Sequence, residues 1–384
     1  MKKRTIVILA NKYPNFLEPN VNVFTQQITW SLVDQGCECI VICPVAINYN
    51  KRNKEFPCVR EEVTESGKTI KIYHPRYVGF GQTHSLFLKT RVALTTKFYI
   101  KAVEKVLKGL MKDDVVLFAE FLCPSGVAAS VLGKKYNLKA YMQCGESTYQ
   151  GDVKYGNKKL VKLLDGLTGV VALSGHTRNY LTDAGVYPSE KIVILPSGYR
   201  KDRIYQRDKH EARKRLNLPQ DKFIVGFCGS YDERKGVLRL DKAVDDIADT
   251  DIVLAAVGKG KIQPQSEKCV LTGPINHVDL GWFYSAIDVF AFPTYNEGCC
   301  TAIVEAIACG CPIISSNRAF NFEICDDTNS ILIEPDDIKA MSDNILLLKN
   351  NPELRERLSK GSLEKGKELS LDDKAKKVLK YIFD

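Results

Sequence analysis

Short apolar runs, each long enough for one buried strand, alternate with helical segments through the first half of the chain, and after a polar interval the alternation starts again. Residues 6–10, 39–43, 69–73, 115–118, 140–143 and 170–173 read as strands, and segments such as 24–33, which ends at Gly36, read as helices. Strands that are apolar throughout and separated by helices form parallel sheets covered on both faces. A last apolar run at 192–195 gives way to a polar, charged stretch at 197–220, which marks a linker. The pattern then restarts at 223–227 and continues through 252–257, 270–271, 289–292 and 312–314. The expectation is an α/β chain of two doubly wound domains, residues 1–198 and 199–368. The amphipathic, basic segment 369–384 is expected to form a C-terminal helix that packs back on the first domain. A length of 384 residues suits two such cores better than one.

Composition narrows the function classes. A hydrophobic content of 45% with 26% charged residues is that of an ordinary folded protein, and excludes disordered and fibrous classes. No stretch approaches the roughly 20 apolar residues of a membrane span. The opening Met1-Lys2-Lys3-Arg4 leads into only a short apolar run, read as a buried strand and not as a signal peptide. The 13 cysteines lack a CxxC pair, and several sit inside apolar runs, as Cys39 and Cys43 do; reduced core thiols in a cytoplasmic protein are expected.

The net charge of +9 is compatible with nucleic acid, anionic lipid or a phosphorylated substrate. Within 85–112 the cations Lys89, Arg91, Lys97, Lys101, Lys105, Lys108 and Lys112 face one acid, Glu104, and the last five cations fall on one helical stripe. Phe98, Val103, Val106, Leu107 and Leu110 supply apolar surface. Two readings remain, a helix lying on the inner face of an anionic membrane or a solvated helix face. Without a recognition motif among the lysines, nucleic acid is not expected as a partner.

The segment 292–306 carries the chemistry. A strand ends at Phe292, a loop carries Glu297 and Gly298, and a helix begins near Thr301 after Cys299 and Cys300. Free N–H groups at a helix start suit a diphosphate, and a glycine lets the backbone approach it. Glu297 then accepts hydrogen bonds from sugar hydroxyls, and Glu305, further inside the helix, from a ribose. The plainer alternative is that Glu297 caps the helix and Glu305 pairs with a surface lysine. With the small-residue run 306–312, the segment resembles the paired-glutamate motif of glycosyltransferase family 4 (group 1), retaining enzymes of the GT-B fold, in which two Rossmann-like domains face each other across a cleft.

The resemblance extends to 225–236, where Gly229 opens a loop and Arg234 and Lys235 stand at the start of a helix, suited to a departing nucleoside diphosphate. Relatives usually carry an arginine where this chain has Ser230, and Arg234 stands in for that charge. It continues through 257–260 and 271–275, with backbone at Pro274 and Ile275 implied to contact the base. It is looser in the first domain: 13–27 resembles an acceptor-side loop with Asn22 in place of a frequent glycine, Glu120 holds a frequent histidine position, and Cys144 stands where a histidine or arginine is usual. None of the five histidines, His74, His84, His176, His210 and His277, fits that place; Glu146 is the nearby polar candidate for the acceptor.

The resemblance implies a retaining transfer of a hexose-type sugar from a nucleotide sugar, a uridine diphosphate sugar before a guanosine one, to a glycan or lipid-linked acceptor in cell-surface polysaccharide synthesis. Lys235, Arg234 and the Thr301 helix end would hold the diphosphate, Glu297 the sugar and Glu305 the ribose. No other cofactor is implied, and with no cluster of metal-ligand spacing in the sequence the transfer is expected to be metal-independent. A partner that binds donor without turning it over, an epimerase or phosphorylase of the same architecture, and a dinucleotide oxidoreductase remain as alternatives. The last lacks its glycine fingerprint after the first strand, where Asn11-Lys12-Tyr13-Pro14 follows.

Overall fold

A computed structural model describes residues 4–81, 87–111 and 115–384. Met1, Lys2, Lys3, His84 and Lys112 lie outside the described residues. The chain divides into two units, Met1–Leu195 with Ala375–Asp384, and Pro196–Lys374.

The first unit contains β1 (Thr5–Leu9), β2 (Glu38–Ile42), β3 (Val45–Ala46), β4 (Val59–Val63), β5 (Thr69–Tyr73), β6 (Arg76–Tyr77), β7 (Val115–Glu120), β8 (Ala140–Cys144), β9 (Gly169–Ala172) and β10 (Ile192–Ile194). Its main sheet runs β10-β9-β8-β7-β1-β2-β5-β4, and β3 pairs with β6 separately. Every ladder in the main sheet is parallel except β4 on β5. β4 escaped the sequence because Val-Arg-Glu-Glu-Val has no apolar run. It is an edge strand, where charged side chains are tolerated. Two of those charges serve the interior: Arg60 donates to the Pro14 carbonyl at 2.7 Å, and Glu62 accepts from the Trp30 indole at 2.7 Å.

The helix Leu88–Leu110 buries Val92, Tyr99, Val103 and Leu107 in the core of this unit. Most of the apolar surface expected to meet a membrane is thus spent on the protein's own interior, and Glu104 turns toward Lys135 and Tyr136. What remains outside is a row of exposed lysines, Lys97, Lys101, Lys105 and Lys108.

The second unit holds β11 (Phe223–Cys228), β12 (Ile252–Val257), β13 (Cys269–Gly273), β14 (Val289–Phe292), β15 (Ile313–Ser316) and β16 (Ser330–Ile333). They form one parallel sheet in the order β13-β12-β11-β14-β15-β16. The stretch expected to be a linker is folded into this unit. It contains the helix Lys209–Arg215, and the buried Arg213 donates to the Ala286 carbonyl at 2.9 Å, the Gln220 carbonyl at 2.8 Å and Asp288 at 2.7 Å. Its charge density misled because these cations have internal partners. The final helix, Leu371–Phe383, starts in the second unit and ends in the first, where the Tyr381 hydroxyl donates to the Lys191 carbonyl at 2.7 Å and Arg4 stacks on Phe383.

The 13 cysteines are all free thiols, eight of them buried. No helix among the described residues is long and apolar enough to cross a membrane.

Candidate functional site

The strand order of the second unit reverses between β11 and β14, and ligands of doubly wound sheets bind beyond the C-terminal strand ends at such a switch. Two loops leave that point. One follows β11 and enters the helix Val237–Asp245 at Gly236; the other follows β14 and enters the helix Thr301–Ala308. Arg234 and Lys235 are on the first loop, Glu297 and Gly298 on the second.

The structure brings the two cations and Glu297 together. Glu297, 8% exposed, accepts through Oε1 from Arg234 Nη1 at 2.7 Å, from Lys235 Nζ and from Thr294 Oγ1 at 3.2 Å. Glu297 is therefore not a helix cap but the anion between two cations, and the trio keeps one net positive charge. Lys235 Nζ also lies 5.1 Å from the centre of the Phe292 ring, and the Lys235 N–H donates to Asp232 Oδ1 at 2.8 Å. Ser230, at the place where the family usually carries an arginine, is exposed and donates to Asp232 Oδ2 at 2.6 Å. Asp232, which shapes this loop, was not singled out from the sequence, where it reads as a turn aspartate.

Gly229 follows β11 directly, and Gly258 shows why the neighbouring loop is glycine-rich. With φ at +152°, a Cβ there would lie 1.8 Å from the Gly229 carbonyl oxygen. The Gly258 N–H donates to the Gly273 carbonyl at 2.9 Å, and the Gly273 N–H to the Tyr231 hydroxyl at 3.1 Å. Pro274, exposed, and Ile275, half-buried, follow at the end of β13.

Thr301 opens its helix with Cys300 at the N-cap, a thiol where a Ser, Thr or Asp oxygen usually closes the first turn. The Cys299 thiol accepts the Ser197 N–H at 3.3 Å. Glu305 lies inside the helix, and the buried Tyr284 hydroxyl, not a surface lysine, donates to its Oε2 at 3.0 Å. Burial away from water pushes the Glu305 carboxyl up to about 7, and the tyrosine bond only partly opposes the shift. A separate cavity of about 350 Å³, beside Asp288, Cys311 and Arg355, opens at the start of β14 and so belongs to the other end of the sheet.

In the first unit Asn22 has φ +45°, a left-handed conformation that asparagine tolerates, so the backbone a glycine would adopt is retained. Glu146 is tied into the end of β8. Its carboxylate accepts from the Leu122 N–H, from the Gly145 N–H at 3.1 Å and from the Cys144 thiol at 3.2 Å. These bonds give it the duty of shaping the loop. Glu120 is buried and accepts from Gln143 Nε2 at 3.1 Å. Among the described residues no group of three or more His, Cys, Asp or Glu side chains could hold a metal ion.

Residues 208–365 match the family described as Glycosyl transferases group 1. The chain is 26% identical over 351 residues to a putative teichuronic acid biosynthesis glycosyltransferase, TuaC, of Bacillus subtilis, covering 88% of each chain. It is 26% identical over 205 residues to the capsular polysaccharide biosynthesis glycosyltransferase CapM of Staphylococcus aureus, covering 49% of this chain and 54% of that one. Among solved structures, sucrose-phosphate synthase from Thermosynechococcus elongatus superposes with a TM-score of 0.75 at 19% identity, with 98% of both chains covered. Anabaena Alr3699/HepE in complex with UDP and glucose superposes with a TM-score of 0.71 at 14% identity, again over 98% of both chains.

Proposed function

We propose that the chain, whose residues 208–365 match the group 1 glycosyl transferases and which carries the GT-B fold, is a retaining, family 4 type enzyme that moves a hexose-type sugar from a nucleoside diphosphate sugar to a glycan or lipid-linked acceptor. The observation that carries this reading is the Arg234–Lys235–Glu297 cluster at the β11/β14 switch, beside the start of the Thr301–Ala308 helix. A diphosphate entering there meets two fixed cations and a helix N-terminus, which stabilise the charge that develops as the sugar bond breaks. Glu297 is the acceptor for sugar hydroxyls, and Glu305 for the ribose. In a retaining transfer the leaving diphosphate oxygen takes the acceptor proton, so positioning and charge stabilisation are what the protein contributes.

A uridine nucleotide is favoured by the UDP bound in a protein of the same fold, and a surface polysaccharide by the names of TuaC and CapM. We place the reaction on the cytoplasmic side of the membrane, with the exposed lysine row of the Leu88–Leu110 helix meeting anionic lipid and Asn22 and Glu146 shaping the acceptor side. The site cations do the work a divalent ion does in other transferases, so turnover is expected to survive a chelator. Purified protein is incubated with a panel of nucleotide sugars, and slow release of nucleoside diphosphate is followed in the wild type, Glu297→Ala and Lys235→Ala, with and without EDTA. Release from one donor that both substitutions abolish and EDTA leaves intact supports the reading. A chelator effect reversed by manganese overturns metal independence, and a protein that binds a donor but turns none over is a non-catalytic partner.

A further inference from the structure

Arg239 lies on the helix after the first phosphate loop, reads in the sequence as one more helical cation, and is only 9% exposed. Its guanidinium reaches both loops of the site at once. Nη1 donates to the Glu233 carbonyl at 2.9 Å and to the Glu233 carboxylate at 3.1 Å; Nη2 donates to the Arg234 carbonyl at 3.4 Å and to the Pro293 carbonyl, on the other loop, at 2.7 Å. The ring of Tyr295 covers it, with the guanidinium carbon 3.8 Å from the ring centre. Tyr295 closes the same circuit through its N–H, which donates to the Arg234 carbonyl at 2.9 Å, and its hydroxyl, which donates to Asp336. Gly236 leaves room for the arrangement: a Cβ there would meet Arg239 Nη2 at 2.6 Å.

We propose that Arg239 is a positioning residue that fixes the spacing between Arg234–Lys235 and Glu297, and thereby sets how tightly the site grips the terminal phosphate of a nucleoside diphosphate. The proposal rests on the donor site described above. The reason is geometric. Arg239 holds the carbonyls of Glu233, Arg234 and Pro293, which directly precede or belong to the segments that carry the two cations and the anion. A planar fork can span two loops in this way; a lysine, with one ammonium centre, holds one carbonyl well and does not bridge the Glu233 and Pro293 carbonyls. A misplacement of about an ångström by a change outside the reacting groups can cost a site as much as about a hundredfold.

Calorimetric affinities of the whole protein for UDP, UMP and inorganic pyrophosphate, with GDP in parallel, test this in Arg239→Lys and Tyr295→Leu. UMP keeps the base, the ribose and one phosphate, so it reports on the site outside the cation cluster. The expected result is a loss of roughly tenfold or more in UDP and pyrophosphate affinity for Arg239→Lys, with UMP affinity changed less than about threefold. Tyr295→Leu, an exposed substitution that removes the ring covering Arg239 together with the hydroxyl bond to Asp336, is expected to move the same ratio in the same direction, and stands in for the clamp if Arg239→Lys does not fold. Equal losses for UDP and UMP would reduce Arg239 to a stability role and overturn the proposal, as would affinities like the wild type's. A wild type that binds none of UDP, GDP and pyrophosphate would instead refute the diphosphate site itself, and the clamp with it.

Discussion

Glu305→Gln separates a carboxylate kept for a ligand from one kept for the fold. The Glu305 carboxyl is raised from 4.5 to about 7 by burial, with the Tyr284 hydroxyl as its hydrogen-bond donor. In the unfolded chain it titrates near its ordinary value, so between about pH 4.5 and 7 the folded state binds more protons than the unfolded one. Stability contributed by the neutral carboxyl is therefore fully present below about pH 4.5 and lost as pH rises through about 7. The shift of 7 − 4.5 is about 2.5 units, or about 3 kcal/mol at 1.36 kcal/mol per unit. A glutamine has the same shape, still accepts the Tyr284 bond and carries no charge to desolvate. Glu305→Gln should come within about 1 kcal/mol of the wild type at pH 5 and exceed it above pH 8 by up to about 3 kcal/mol, or roughly 6–12 °C in the melting of a domain of this size. Differential scanning fluorimetry from pH 5 to 9 reads the difference. The same substitution should weaken donor binding at every pH above 7, because the ribose hydroxyls lose an anionic acceptor. In the wild type, donor affinity should rise with pH through about 7 as the carboxylate forms. Parallel melting profiles for the two proteins across the range would refute the reasoning, since they would mean that Glu305 titrates as an ordinary surface carboxyl.

Two other substitutions probe the frame around the site. Gly236→Ala places a Cβ 2.4 Å from the Pro293 carbonyl oxygen at a φ of +83°, and should cost about 2 kcal/mol or more in chemical denaturation while also weakening donor binding, because the strain falls where the loops meet. Replacing Lys97, Lys101, Lys105 and Lys108 together with glutamate should abolish co-sedimentation with vesicles containing phosphatidylglycerol and leave donor binding unchanged; retention on vesicles would refute a role for that row.

The sequence announced its sheets where strands are buried on both faces. β1, β7, β11, β12 and β14 are almost wholly inaccessible to solvent, and each is an apolar run of 4–6 residues. It was silent on β4, whose charges are used across an edge, and on β16, a short strand after a polar turn. It misread residues 197–220 because a charge count cannot tell Arg213, buried against Asp288, from a cation in water. For the Leu88–Leu110 helix, periodicity shows that there is an apolar face, not whether that face meets lipid or its own sheet, and Val103 and Leu107 of it lie in the core. In the site, Arg234, Lys235 and Glu297 could be named from motif and spacing, but their convergence on one carboxylate oxygen depends on the strand order. Asp232 lies within the 225–236 segment but reads there as a turn aspartate, Arg239 belongs to no motif, and no period or composition separates either from surface residues.

The path of the chain between the two units has a consequence for biosynthesis. It enters the second unit at Pro196 and leaves it after Lys374, and just inside these crossings the incoming and outgoing segments are joined, the Tyr199 N–H donating to the Leu369 carbonyl at 3.1 Å and the Leu371 N–H to the Tyr199 carbonyl at 2.9 Å. The first unit is thus interrupted by the second and completed by residues 375–384, where Tyr381 receives the Val170 N–H and reaches Lys191. On the ribosome the second unit has all of its residues before the first does. The half translated earliest is therefore the half that receives its last residues latest, because the helix that completes it is made only after the whole of the second unit.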